Sequence, residues 1–125
     1  MTINWCTIRV INFNKSKKFY GDFLGLKAEQ EFSPYEGMEI AFFSADNGMK
    51  VELIYTKDMV LEEKNNSGVS LGICVSNYDA LLEKAQQNNM VTLGPTTLGK
   101  GMECFFIKDP NGVGIQIVRA ETYEH

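Results

Sequence analysis

The chain has 125 residues, 44% of them hydrophobic and 22% charged, with a net charge of −4. That length and composition fit one globular domain with a real core, and the lack of clustered Lys and Arg argues against nucleic acid as a partner. No stretch approaches the roughly 18 apolar residues of a membrane span, Met1-Thr2-Ile3-Asn4 has no signal pattern, and three cysteines without a Cys-x-x-Cys pair make no disulfide framework, so a cytoplasmic, reduced protein is expected.

Trp5 to Val10 alternates and reads as a strand. Asn14 is placed to cap a helix over residues 15–24, in which Phe19 and Phe23 share one face and Lys15, Lys17 and Lys18 form a solvated one. Gly25 ends that helix. Strands follow over 26–32, 38–45 and 49–56, with loop chemistry at Ser33-Pro34-Tyr35-Glu36-Gly37 and a hairpin turn at Asp46-Asn47-Gly48. Residues 57–67 are polar and charged and read as a linker. A second series then begins: a strand over 69–75, a helix over 78–88 capped by Asn77, and a short strand over 91–93. Loops at Gly94-Pro95 and Leu98-Gly99-Lys100-Gly101 precede a strand over 103–108. Asp109-Pro110-Asn111-Gly112 is turn chemistry, residues 113–119 are the last strand, and the polar tail 120–125 is expected to fray.

Both series read β-α-β-β-β, and the second repeats the first. Between Gly37–Tyr55 and the segment 64 positions on, six residues are identical: Gly37/Gly101, Met38/Met102, Glu39/Glu103, Phe42/Phe106, Asn47/Asn111 and Gly48/Gly112. A repeat of this length is a whole supersecondary unit. The expected fold is therefore α+β, a single domain 1–125 of two βαβββ repeats, about 3–56 and 68–119. Four strands with one helix on one face leave the other face bare, and two such units can curl into a curved mixed sheet around a concave pocket, the usual form of a small-molecule site.

With these elements in place the chain resembles the vicinal oxygen chelate superfamily of glyoxalase I, bleomycin-resistance proteins and extradiol dioxygenases. The resemblance rests on Ile8-Arg9-Val10, on Phe19-Tyr20-x-x-Phe23-Leu24-Gly25-Leu26, on Val51-Glu52-Leu53 and on Phe106-x-x-Asp109-Pro110-Asn111-Gly112-x-x-Ile115-Gln116-Ile117. It implies four metal-ligand positions, typically His, Glu, His and Glu. In this chain they fall on Trp5, Glu52, Ser70 and Gln116. An indole N–H only donates, and Ser and Gln are weak ligands for a transition metal. The sole histidine, His125, stands in the tail. The expectation is no metal site of the family type and no cofactor.

What remains for the inferred pocket is binding. Strand alternation groups Trp5, Thr7 and Arg9 on one face. It groups Lys50, Glu52 and Ile54 likewise, then Ser70, Gly72 and Cys74, and Gln116 with Val118. Trp5 reads equally as a stacking platform or as packing. Glu52 reads as a general base or, in preference, as a carboxylate paired with Arg9 or Lys50. Arg9 reads as an anion holder or a structural ion pair, and Cys74 as a small packed hydrophobe. Met38, Met102, Phe43 and Phe106 either rim the pocket or fill core.

The resulting expectation is a metal-free small-molecule binding protein of the bleomycin-resistance type, with Trp5, Thr7, Arg9, Glu52, Ser70 and Gln116 holding an organic ligand. The alternatives are a glyoxalase-like lyase or isomerase using Glu52 as base, with an atypical or absent metal site, and a ligand-free protein whose concavity mediates assembly. The resemblance also implies a homodimer.

Overall fold

Alternation of apolar and polar residues determines which face of each strand is buried, and a computed structural model, which describes residues 1–123, shows the result. The chain divides into two compact units, Met1–Glu62 and a second beginning at Glu63, and each forms its own four-stranded sheet.

In the first unit β1 (Trp5–Arg9) pairs in parallel with β4 (Lys50–Thr56). β4 pairs antiparallel with β3 (Met38–Ser44), and β3 with β2 (Lys27–Phe32), giving the order β1-β4-β3-β2. Helix α1 (Phe13–Lys17) starts two residues earlier than its sequence signals imply. Its cap is Asn12, whose side chain accepts the Lys15 N–H at 3.0 Å, rather than Asn14. It continues as a π-helical turn over Lys18–Phe23, seen in the bond from Leu24 N–H to the Phe19 carbonyl. Phe19 and Phe23 do share a face, their rings stacked at 5.6 Å. Gly25, with φ at +80°, closes the element. One sheet face carries Ile8, Val10, Ala41, Phe43, Val51 and Leu53, all buried with Phe19 and Tyr20 of the helix. Phe43 is thus core: its ring lies where a Cβ on Gly21 would stand only 3.0 Å away.

The second unit repeats this order. Strand β5 (Ser70–Val75) is parallel to β8 (Gly114–Arg119), followed by β7 (Met102–Lys108) and β6 (Val91–Leu98). Helix α2 (Tyr78–Gln87) presents Tyr78, Leu81 and Ala85 to Phe105, Ile107, Ile115 and Ile117, each of those four at most 1% exposed. Such burial is worth roughly 1.5–3 kcal/mol per large aliphatic side chain, enough to specify the face. Asn77 occupies the N-cap position of α2 but makes no side-chain capping bond.

Three local expectations change. The strand expected over 91–93 runs on to Leu98, because register shifts on either side of Leu93 absorb the Gly94–Pro95 step. As an edge strand, β6 can hold a proline without losing a ladder bond. The start of the tail is tied down: Ala120–Thr122 forms a 3₁₀ turn, and the Thr122 hydroxyl accepts the Glu103 N–H at 3.0 Å. The end of the linker is also held. Glu63–Asn66 is a 3₁₀ turn, with Asn66 Nδ2 donating to the Asn111 carbonyl at 2.9 Å.

Candidate functional site

In both units the sheet face away from the helix carries the polar candidates. In the first unit, Ile8 and Val10 are buried toward the helix, while Trp5, Thr7 and Arg9 on the other parity are exposed, Trp5 to 55%. An indole so exposed is not core packing. The parallel register sets Trp5 beside Lys50, Thr7 beside Glu52 and Arg9 beside Ile54.

Glu52 is half-buried, and its partner is neither of the two cations expected. The Thr7 hydroxyl donates to Glu52 Oε1 at 2.5 Å, and among the described residues neither Arg9 nor Lys50 forms an ion pair with it. The parallel register sets Thr7 directly beside Glu52 and so brings its short hydroxyl into reach. On the antiparallel side Glu52 stands opposite Phe42, so the Phe42 ring shares the open face. Sequence reasoning passed over Phe42, although its identity with Phe106 at the equivalent position was the available signal. Further along, the Ser44 hydroxyl donates to Glu29 Oε1 at 2.6 Å. That bond holds the Glu29 carboxyl below its usual range, with Lys27 and Lys50 acting in the same direction.

In the second unit Ser70, Gly72 and Cys74 are exposed on the corresponding face of β5. Cys74 is therefore not a packed hydrophobe; the buried thiol is that of Cys104. Gln116 stands beside Gly72 and opposite Phe106, half-buried, with Nε2 at 3.5 Å from the Cys104 sulfur. Ser70 pairs with Gly114 and is not a direct neighbour of Gln116. Among the described residues no three His, Cys, Asp or Glu side chains cluster closely enough to hold a metal ion. His125 lies outside the described residues.

Each open face thus combines an aromatic ring with hydrogen-bonding groups: Phe42 with Glu52 and Thr7 in the first unit, Phe106 with Gln116 in the second. Trp5 and two cations are added in the first unit alone. Such a surface can stack a planar group and orient it by polar contacts.

Comparison with known proteins agrees with this architecture. A family model, Glyoxalase/Bleomycin resistance protein/Dioxygenase superfamily, matches residues 2–117. The trypanothione-dependent glyoxalase I of Leishmania major superposes with a TM-score of 0.79 at 20% identity, covering 98% of this chain and 88% of that one. A glyoxalase/dioxygenase from Nostoc punctiforme gives 0.75 at 18% identity, covering 94% and 90%. A glyoxalase family protein from Enterococcus faecalis gives 0.72 at 15% identity, covering 94% and 97%. No curated protein matches the chain significantly. Also, no described helix is long and apolar enough to cross a membrane.

Proposed function

Because the chain belongs to the Glyoxalase/Bleomycin resistance protein/Dioxygenase superfamily, we propose that it binds a small organic molecule without a metal ion. The observation that carries this reading is the exposed Trp5 indole on the same strand face as the Thr7–Glu52 hydrogen bond and Arg9. A bare ring of that size beside an oriented carboxylate and a cation provides stacking area and direction together. On the open face of the second unit, Ser70 and Gln116 offer a hydroxyl and an amide to a ligand in the same way.

The donors at the four family ligand positions support the metal-free part of the reading. They are an indole N–H, one carboxylate, one hydroxyl and one carboxamide. This set does not fit a zinc, nickel or iron ion, whose protein donors are imidazole, thiolate and carboxylate. A cytoplasmic homodimer belongs to the same reading. The homodimer is supported by the edge strands β2 and β6, which leave Phe32, Leu93 and Leu98 exposed, and the location by an odd cysteine count with no Cys-x-x-Cys pair.

Trp5 is the sole tryptophan, so its fluorescence reports on the proposed platform directly. A screen of planar organic compounds should yield one that quenches Trp5 emission saturably and raises the melting temperature. Its affinity should fall in Thr7→Val and Glu52→Gln. Binding that stabilises the protein yet leaves Trp5 emission and both variants unaffected would place the ligand elsewhere. Stoichiometric metal in purified protein would overturn the metal-free part.

A further inference from the structure

The two repeats differ in chemistry at the corner where the helix begins over the sheet. In the second repeat this corner is filled from within by Arg119. Its guanidinium lies 4.4 Å from the Tyr78 ring centre. It donates through both terminal nitrogens to Asp79, at 2.8 and 3.2 Å, and through Nε to Glu103 at 3.2 Å. Aromatic face, bidentate carboxylate and second carboxylate together make a complete guanidinium site.

Equivalent positions in the first repeat are found by counting. From the cap residues Asn12 and Asn77, Phe13 corresponds to Tyr78 and Asn14 to Asp79. From the strand repeat, Glu39 corresponds to Glu103 and Tyr55 to Arg119. The aromatic ring and the strand carboxylate are thus retained, a carboxamide replaces the other carboxylate, and the arginine is missing. In its place is a cleft of about 500 Å³, lined by all four equivalents together with Lys17 and Glu31.

Lys17 supplies part of what Arg119 does. Its ammonium lies 4.6 Å from the Phe13 ring centre and 3.1 Å from Glu31. It forms no ion pair with Glu39. Among the described residues the side chains of Glu39, Asn14 and Tyr55 have no hydrogen bond or ion pair at all. With two carboxylates and one ammonium the cleft carries one net negative charge, which a single cation would neutralise.

We propose that this cleft of the first repeat binds the guanidinium group of a small molecule, held by Glu39, Asn14 and Tyr55 beside the Phe13 face that Lys17 covers, in the corner that Arg119 fills in the second. Glu39 forms the charge-assisted contact, the side-chain carbonyl of Asn14 accepts a second N–H, and Tyr55 borders the plane. The site lies on the helix-covered side of the sheet, opposite the Trp5 face, so it is independent of the ligand proposed there.

The test is a titration of ¹⁵N-labelled protein with methylguanidinium, followed by NMR. Saturable shifts should appear at the amides of Asn14, Glu39 and Tyr55, while those of Asp79, Glu103 and Arg119 stay in place. Glu39→Gln should weaken binding about tenfold, the loss of one charge-assisted hydrogen bond. Tyr55→Arg should abolish it by supplying the guanidinium internally. Should that variant fail to fold, Glu39→Gln still decides. Absence of saturable shifts in the first repeat, affinity unchanged in Glu39→Gln, or equal affinity for methylammonium would each overturn the assignment.

Discussion

The Asp109 carboxylate and the side chain of Asn111 lock the last hairpin from inside. Asp109 Oδ1 accepts the N–H of Asn111 at 2.7 Å and of Val113 at 2.8 Å, while Oδ2 accepts from Asn111 Nδ2 at 3.0 Å. Both side chains are buried, to 4% and 0% exposure. In the first repeat the equivalent of Asp109 is Ala45, and the turn residues Asp46 and Asn47 are exposed. The same Asn-Gly pair is therefore a surface turn in one repeat and a buried strut in the other.

Asp109→Ala should accordingly destabilise the fold by roughly 2–4 kcal/mol, since it leaves buried donors without an acceptor. Asp46→Ala should stay within about 0.5 kcal/mol. Urea unfolding of the two variants checks this, and similar losses in both would remove the distinction between the turns.

The paired glycines of these turns should separate in the same way. Gly48 and Gly112 have φ near +89° and +88°, so alanine strains either backbone, at about 1 kcal/mol. A Cβ on Gly48 meets open space, whereas one on Gly112 would stand 2.1 Å from the Glu63 carbonyl oxygen. Gly112→Ala should therefore lose a further 1–3 kcal/mol or so through overpacking against the linker end. Equal melting temperatures for the two variants would contradict that contact.

Trp5→Ala should change stability by no more than about 1 kcal/mol, because the ring is more than half exposed. Phe105→Ala, at a fully buried ring in edge contact with Tyr78, should cost about 3–5 kcal/mol. Denaturant midpoints decide between a platform and a packing role for Trp5. A large loss in Trp5→Ala would restore the packing role.

Acid should reveal the Arg119–Asp79 pair. The bonds from Arg119 hold the Asp79 carboxyl below its ordinary value of 3.8. A group whose folded value is depressed stabilises above its unfolded value and loses that contribution as pH falls through the folded one. Wild type should thus melt above Asp79→Asn at neutral pH, with the gap narrowing below pH 3.8. Melting curves across that range test the sign, and a constant gap would show that the pair contributes nothing through ionisation.

Much of this architecture was legible from local pattern. The identities between Gly37–Tyr55 and the second repeat announced two βαβββ units, and the alternation of β1 placed Trp5, Thr7 and Arg9 on one face. The misreadings came from contacts distant in sequence. The helix cap is the exception, since Asn12 and Asn14 carry the same capping chemistry two residues apart and the bond that decides between them is local. The partner of Glu52 depends on the register of β1 against β4, which sets Thr7 and not a cation at its side. Strand β6 continues past Gly94–Pro95 because β7 offers it a partner edge, a fact absent from its own residues.

By itself, then, the amino-acid sequence determined the repeat, the element order, the parity of each strand and the donor chemistry of the candidate positions. All of these follow from side-chain type and a period of two or three to four residues. Only the tertiary structure decided that Phe43 is core while Phe42 shares the face of Glu52. It likewise decided that Asp109 is a buried strut, and that Arg119 fills a corner left open beside Tyr55. Those outcomes depend on cross-strand register and on how closely a helix approaches its sheet, which arise when residues far apart in the chain compete for the same buried space.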